Sequence, residues 1–216
     1  IARNQNVRFS FLPSFKKIGI VLVSLDSDQL ENAQAEVVEV LDLYVYSCED
    51  KSLEQVVGEI LIREKLTLST CESCTAGKLS NMITRVDGSS GYYLGSIISY
   101  SEQIKSRLLD IDIKKIEKYG AVSREIAKDM AVSVSNIMDT DVSISITGIS
   151  GPKTDKSKKT IGIVFIAIKF LEKVFISEYN LDYDRETHRN ISCQIALNNL
   201  RLILLNKWDD NIYKFK

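Results

Sequence analysis

From about residue 52 onward, short runs rich in Ile and Val alternate with longer segments whose apolar residues recur every three or four positions, and few folds accept such a pattern. Residues 53–63 carry apolar side chains at 53, 56, 57, 60 and 61, the stripe of a one-faced helix. Residues 66–71 then read as a strand, and a helix opens near Cys74. A strand over 96–100 follows the Gly88-Ser89-Ser90-Gly91 turn, and two short helices and a longer one with Ser123 as its N-cap come next. Strands over 142–146, 161–168 and 174–179 and a helix over 185–206 complete the series. Helices between strands imply parallel pairing, while the consecutive strands near the end imply an antiparallel element, so this part is an α/β domain. Upstream, residues 7–12 and 18–25 read as strands, 29–43 as an amphipathic helix and 44–46 as a short strand. The acidic stretch Cys48-Glu49-Asp50-Lys51 breaks the pattern, and the domain boundary is placed there, dividing the chain into 1–50 and 51–216.

Composition narrows the function. Lys and Arg total 28 against 29 Asp and Glu, so there is no global basic field to attract nucleic acid or an anionic membrane. The longest apolar run, 161–168, is far short of the roughly 20 residues of a membrane helix, and the N-terminus lacks a signal pattern. The four cysteines, Cys48, Cys71, Cys74 and Cys193, are too sparse for a secreted disulfide framework. A cytoplasmic protein is expected. The chain begins at Ile1 rather than Met, so the expectation is a fragment or processed product of something longer.

One histidine, His188, prunes the mechanisms further: Ser-His-Asp and Cys-His catalysis and most zinc sites would all run through it. It lies among charges in Asp184-Arg185-Glu186-Thr187-His188-Arg189 and is expected at the solvated surface. A nucleophile in this chain would therefore take a lysine as its base. Glu72-Ser73-Cys74-Thr75-Ala76-Gly77 sits where a strand meets a helix, so first-turn N–H groups are expected to face whatever Ser73 holds; the plainer reading is that Ser73 or Thr75 caps the helix. Two further polar clusters end strands of the same domain, Tyr100-Ser101 followed by Lys105, and Thr147-Gly148-Ile149-Ser150-Gly151-Pro152. In open α/β sheets ligands bind outside the carboxyl ends of strands, and three such clusters converging on one edge count against all of them being helix caps. Cys71-Glu72-Ser73-Cys74 has C-x-x-C spacing without paired partners elsewhere, so neither metal nor redox chemistry is expected. Residues 153–159 read as a flexible basic loop, and no Walker A or dinucleotide fingerprint is present.

These residues resemble the C-terminal domain of the competence/damage-inducible CinA proteins, the nicotinamide-nucleotide amidohydrolase family. The matching stretches are Glu72-Ser73-Cys74-Thr75, Gly88-Ser89-Ser90, Tyr100-Ser101 with Lys105, Leu108-Leu109, Gly120-Ala121-Val122-Ser123, Thr147 through Pro152, and Asp184-Arg185-Glu186 with Arg189. They run in order across about residues 53–205. Residues 1–50, with Phe11-Leu12-Pro13-Ser14, resemble the KH-like segment that precedes this domain, although they contain no Gly-x-x-Gly loop. The chain thus looks like a CinA protein without its molybdopterin-binding-like N-terminal domain. The fold expected is a three-layer α/β/α sandwich with a mixed, mostly parallel sheet, preceded by a small α+β segment.

The resemblance implies metal-free and cofactor-free hydrolysis of nicotinamide mononucleotide to nicotinate mononucleotide and ammonia. It casts Ser73 as nucleophile, Lys105 as its partner and Tyr100 as an aid to proton transfer. Glu72, Cys74, Thr75, Gly77, Thr147 and Gly148 are expected around the substrate, with Arg185 or Arg189 on the 5′-phosphate. Partners implied are the small nucleotide substrate and other copies of the chain, with neither membrane nor nucleic acid. Three positions depart from the family pattern: Ala76 replaces a glycine, 153–160 replace a Gly-rich loop, and Ser150 replaces an alanine. The altered loop keeps a second reading open, a weakly active or inactive CinA paralogue serving as a binding or assembly module. A third is a Ser-Lys hydrolase of another amide, indifferent to the phosphate.

Overall fold

The computed structural model describes residues 6–14, 17–152 and 159–209. The chain divides into two compact units, Ile1–Asp50 and Lys51–Lys216. In the first, β1 (Arg8–Pro13) and β2 (Ile18–Val23) form an antiparallel hairpin, followed by α1 (Ser27–Leu41). The Asp26 carboxylate caps α1 by accepting from the N–H groups of Asp28 and Gln29. The strand expected over 44–46 is absent: a 3-10 turn, Asp42–Tyr44, leads into irregular chain, because the two-stranded sheet gives those residues no strand to pair with.

The second unit is built on α2 (Leu53–Glu64), β3 (Leu68–Glu72), α3 (Lys78–Thr84), β4 (Tyr93–Ile98), α4 (Glu102–Leu109), α5 (Ile113–Tyr119), α6 (Arg124–Met138), β5 (Val142–Gly148), β6 (Ile163–Phe170), β7 (Lys173–Asn180) and α7 (Arg185–Leu204). Ser52 and Gln55 form a reciprocal capping box on α2, and Ser123 caps α6 as expected. The five strands lie in the order β4-β3-β5-β6-β7. The β3–β4 and β3–β5 ladders are parallel and the β5–β6 and β6–β7 ladders antiparallel. The sheet is therefore mixed, with β6 the one strand running against the other four. Helices α4, α5 and α6 cover one face, and α2, α3 and α7 the other.

Strand β5 shows why the layers sit so close. Its alternation Val-Ser-Ile-Ser-Ile-Thr-Gly sends Val142, Ile144 and Ile146 to one face and three hydroxyls to the other. Ser143 Oγ donates to Ala131 O at 2.7 Å, Ser145 Oγ to Ala127 O at 2.6 Å and Thr147 Oγ1 to Ala121 O at 2.9 Å. The small Ala127 and Ala131 let α6 approach the sheet, and the hydroxyls are satisfied by its carbonyls. The apolar core on this side joins Cys71, Leu109, Ile116, Ile126, Met130 and Val134.

Candidate active site

The three mutually parallel strands β4, β3 and β5 end on the same side of the sheet, and their polar ends lie there as the pattern predicts. Side chains alternate along β3, so Cys71 and Ser73 face α6 while Glu72 faces α3. The parallel register pairs Glu72 with Ile146, and Ser73 N–H donates to Ile146 O at 3.0 Å. Ser73 and Lys105 come together: Lys105 Nζ lies 2.9 Å from Ser73 Oγ and donates to Ser99 O at 2.6 Å. Lys105 is 1% exposed and Ser73 7%. Burial pushes the lysine down to about 8, against opposing influences from Cys71, Cys74 and Glu102. Desolvation is the cause that lowers it.

The turn after Ser73 differs from a simple helix start. The helix begins at Lys78 rather than near Cys74, because Ala76 (φ +49°) and Gly77 (φ +89°) take left-handed conformations. Gly77 fits that conformation without strain, whereas Ala76 carries the usual Cβ penalty. The first-turn N–H groups are also committed elsewhere. Glu72 Oε2 accepts from Gly77 N and Leu79 N at 2.9 and 3.1 Å, and Oε1 accepts from Ser80 N and Ser80 Oγ at 2.9 and 2.6 Å. Glu72 is wholly buried and both its oxygens are occupied, so it holds the turn in place rather than contacting a substrate as expected. Cys74 and Thr75 are the turn residues whose N–H groups meet no oxygen acceptor among the described residues.

The remaining expected residues have separate local partners. Thr147 is buried, its hydroxyl donating to Ala121 O on the α6 side. Gly148 is a packing position: a Cβ there would lie 2.8 Å from Ile163 O on the paired strand, which accounts for the glycine without a ligand. Cys74 is buried, and desolvation raises its thiol to about 11, as it does for Cys71; both are free, inert thiols at neutral pH. Thr75 is fully buried with Oγ1 unpartnered, and its carbonyl accepts from Arg189 Nη2 at 2.8 Å.

Tyr100 stands 61% exposed at the rim, its hydroxyl 3.2 Å from Arg185 Nη2 and bonded to neither Ser73 nor Lys105. Arg185 Nη1 also donates to Gly151 O at 2.8 Å, and among the described residues it has no carboxylate partner. Arg189, by contrast, pairs with Glu186 at 3.3 Å, and Glu186 also meets Lys78. Of the basic loop, only Lys159 lies within the described residues, donating to Val122 O.

His188 overturns its expected place at the surface: it is fully buried, with Nδ1 2.9 Å from Ser150 Oγ and Nε2 3.1 Å from Gly162 O. A signal was present in the apolar phase of α7, since stepping back from Ile203 through Leu200, Ala196 and Ser192 lands on 188. Ser99, whose carbonyl anchors Lys105, offered no sequence signal, because any residue supplies that group.

Comparisons with known proteins agree with this architecture. The family model of the CinA C-terminal domain matches residues 50–204. A CinA-like protein of Flavobacterium psychrophilum is 37% identical over 187 residues, covering 83% of this chain and 45% of the relative. One from Prochlorococcus marinus is 41% identical over 171 residues, covering 76% and 39%. The chain thus spans less than half the length of these relatives. Among solved structures, a CinA superfamily protein from Escherichia coli is 27% identical with a TM-score of 0.68, covering 76% of this chain and 98% of the other. One from Klebsiella pneumoniae, 23% identical with a TM-score of 0.70 and covering 72% and 97%, shares the fold. With the three strand-end clusters, the mixed five-stranded sheet and these matches in agreement, the chain belongs to the CinA family through its C-terminal domain.

Proposed function

We propose that this chain hydrolyses the carboxamide of nicotinamide mononucleotide to nicotinate mononucleotide and ammonia, with Ser73 as nucleophile and Lys105 as base. The observation that carries the reading is the buried contact of 2.9 Å between Lys105 Nζ and Ser73 Oγ, made by a lysine brought down to about 8. A free lysine is neutral roughly 0.04% of the time at pH 7. One at about 8 is neutral in about one molecule in ten, enough to serve as a base. Ser99 O accepts only, so it fixes one amine hydrogen and leaves the lone pair for the Ser73 hydroxyl.

In this scheme Ser73 Oγ attacks the carboxamide carbon as its proton passes to Lys105 Nζ. The Cys74 and Thr75 N–H groups are the donors available to the tetrahedral oxyanion. The lysine ammonium then returns the proton to the departing amine, and ammonia leaves. Water, deprotonated by the neutral lysine, cleaves the resulting acyl ester to the carboxylate and frees Ser73. Arg185 suits the 5′-phosphate better than Arg189: it is exposed, its acceptors are neutral, and no carboxylate must be displaced. Arg189 is tied to Thr75 and Glu186 and supports the turn.

The test is ammonia release from nicotinamide mononucleotide, with chelator present, by the parent chain and by Ser73→Ala and Lys105→Met. Release lost in both variants supports the reading. No release from any of the three discards this substrate and leaves the binding-module reading. Arg185→Ala should raise KM for the mononucleotide about tenfold or more while leaving the unphosphorylated nucleoside unaffected.

A further inference from the structure

The one histidine of the chain is buried, hydrogen-bonded at both ring nitrogens, and unused by the scheme above. A carbonyl only accepts, so Nε2 carries its hydrogen toward Gly162 O at 3.1 Å, and Nδ1 accepts from the Ser150 hydroxyl at 2.9 Å. Burial holds the imidazole below the ordinary histidine value, so this neutral form prevails at pH 7. The ring therefore grips the β5–β6 connection at both of its ends, Ser150 just after β5 and Gly162 just before β6.

Backbone bonds close the same neck. Ile149 N–H donates to Ile163 O and Gly162 N–H to Ile149 O, both at 2.8 Å. Gly162 O also accepts from Leu181 N–H at 2.8 Å, in the chain leading into α7, so both its lone pairs are used. The two glycines of the neck are dictated by space. A Cβ at Gly151 would lie 2.9 Å from Ile161 Cγ2 and one at Gly162 2.6 Å from Leu181 O, and both residues take positive φ, +72° and +94°. Gly151, the residue after Ser150, turns its carbonyl to Arg185 Nη1 at 2.8 Å, while Nη2 of the same guanidinium lies 3.2 Å from Tyr100 Oη. Arg185 and His188 stand one turn apart on α7, so a single helix holds the adjacent residues 150 and 151, one through each side chain.

We propose that His188 and Ser150 are positioning residues for Arg185: the buried imidazole–hydroxyl pair fixes the Gly151 carbonyl and thereby aims the guanidinium at the substrate phosphate. The inference deepens the reading of Arg185 given above and rests on it. With the carbonyl fixed, the planar guanidinium is held ready to meet two phosphate oxygens at once; with the carbonyl free to shift, the charge remains but that orientation is lost. The pair also accounts for Ser150, one of the positions that depart from the CinA pattern, because an alanine there would leave buried Nδ1 without a donor.

The test uses the whole chain with Ser150→Ala, which removes a single oxygen, with His188→Gln and with the double variant. Ammonia release is measured from nicotinamide mononucleotide and from the unphosphorylated nucleoside. KM for the mononucleotide should rise about three- to tenfold in each single variant with kcat within about twofold, and kcat/KM for the nucleoside should stay at the parent value. The double variant should be no worse than the worse single one, because both substitutions break the same bond. An unchanged KM, a fall in kcat for both substrates, or effects that add overturns the proposal. A second readout needs no turnover. Because the chain has one histidine, its imidazole nitrogen resonances report it alone and should show the Nε2–H form at pH 7. The Arg185 Nε–H relaxation should report an ordered guanidinium in the parent and a mobile one in Ser150→Ala. An Nδ1–H form, or equal Arg185 order in the two chains, overturns the proposal. Arg185 ordered in the parent and loosened in the variant, with no ammonia released by any chain, would uphold the positioning role and remove the hydrolase reading instead.

Discussion

Lys105 is the residue whose properties owe most to its surroundings. It stands 1% exposed, and its pKa falls from the usual lysine range to about 8, which costs the fold stability wherever the unfolded chain keeps its proton. Between about 8 and 10.5 the unfolded state binds more protons than the native state, so stability rises with pH across that window and the burial cost is full below it. Lys105→Met should therefore be inactive yet more stable at pH 7, by on the order of 2 kcal/mol, with the gap closing by about pH 10.5. Urea denaturation at both pH values checks this, and a variant less stable at pH 7 would mean that the lysine's hydrogen bonds outweigh its desolvation. The same value predicts kcat/KM for the amide rising about tenfold per pH unit up to about pH 8 and levelling above it. Glu72 behaves oppositely, since each oxygen takes two donors. Glu72→Gln leaves buried N–H groups facing an amide NH2 and should lower stability by about 3 kcal/mol, read as a lowered thermal midpoint. Both residues were picked out in the sequence by their neighbours, but their roles were not: a letter Glu before Ser73 does not say which face of the strand it takes.

At the scale of elements, the turn from β3 to α3 is where local preference and tertiary demand disagree. Ala76 is exposed and held at φ +49°. Replacing it with glycine removes the Cβ penalty, offset by the greater freedom of glycine in the unfolded chain, so Ala76→Gly should stabilise by about 0.5–1 kcal/mol. A chemical-denaturation series measures it, and destabilisation would show that the methyl group packs usefully. The strands were readable because alternation and β-branching repeat, and the helices because Ser52 and Ser123 announce two of their starts. Boundaries moved where sheet pairing set them. The strand expected over 96–100 runs instead over Tyr93–Ile98, because pairing with β3 begins at Tyr93 and carries an irregularity at Leu68/Ser69. The expected strand at 44–46 failed for the converse reason, a strand sequence without a partner.

At the scale of the molecule, the two units differ in how much they bury. In the described part of the first, Val7, Ala33 and Val37 are the buried apolar side chains, while Phe11, Leu12, Ile18, Val23 and Leu25 are all more than half exposed. A two-stranded hairpin with one helix is marginal by itself. Native-state hydrogen exchange should therefore find the α1 amides at Ala33 and Val37 opening orders of magnitude more readily than those of β5 at Ile144 and Ile146; equal protection would show the units unfolding together. By itself the sequence determined the layer pattern, the antiparallel end of the sheet and the gathering of three polar strand ends at one edge, because periodicity and strand order are properties of neighbours along the chain. Only the tertiary structure decided that Lys105 reaches Ser73 at 2.9 Å with both side chains buried, that Glu72 turns away to hold a helix, and that His188 lies buried against Ser150. Distance across 32 residues, burial and the partner of a hydrogen bond depend on how layers stack. A charge-rich stretch such as 184–189 reads as surface until the helix that bears it is pressed against a sheet.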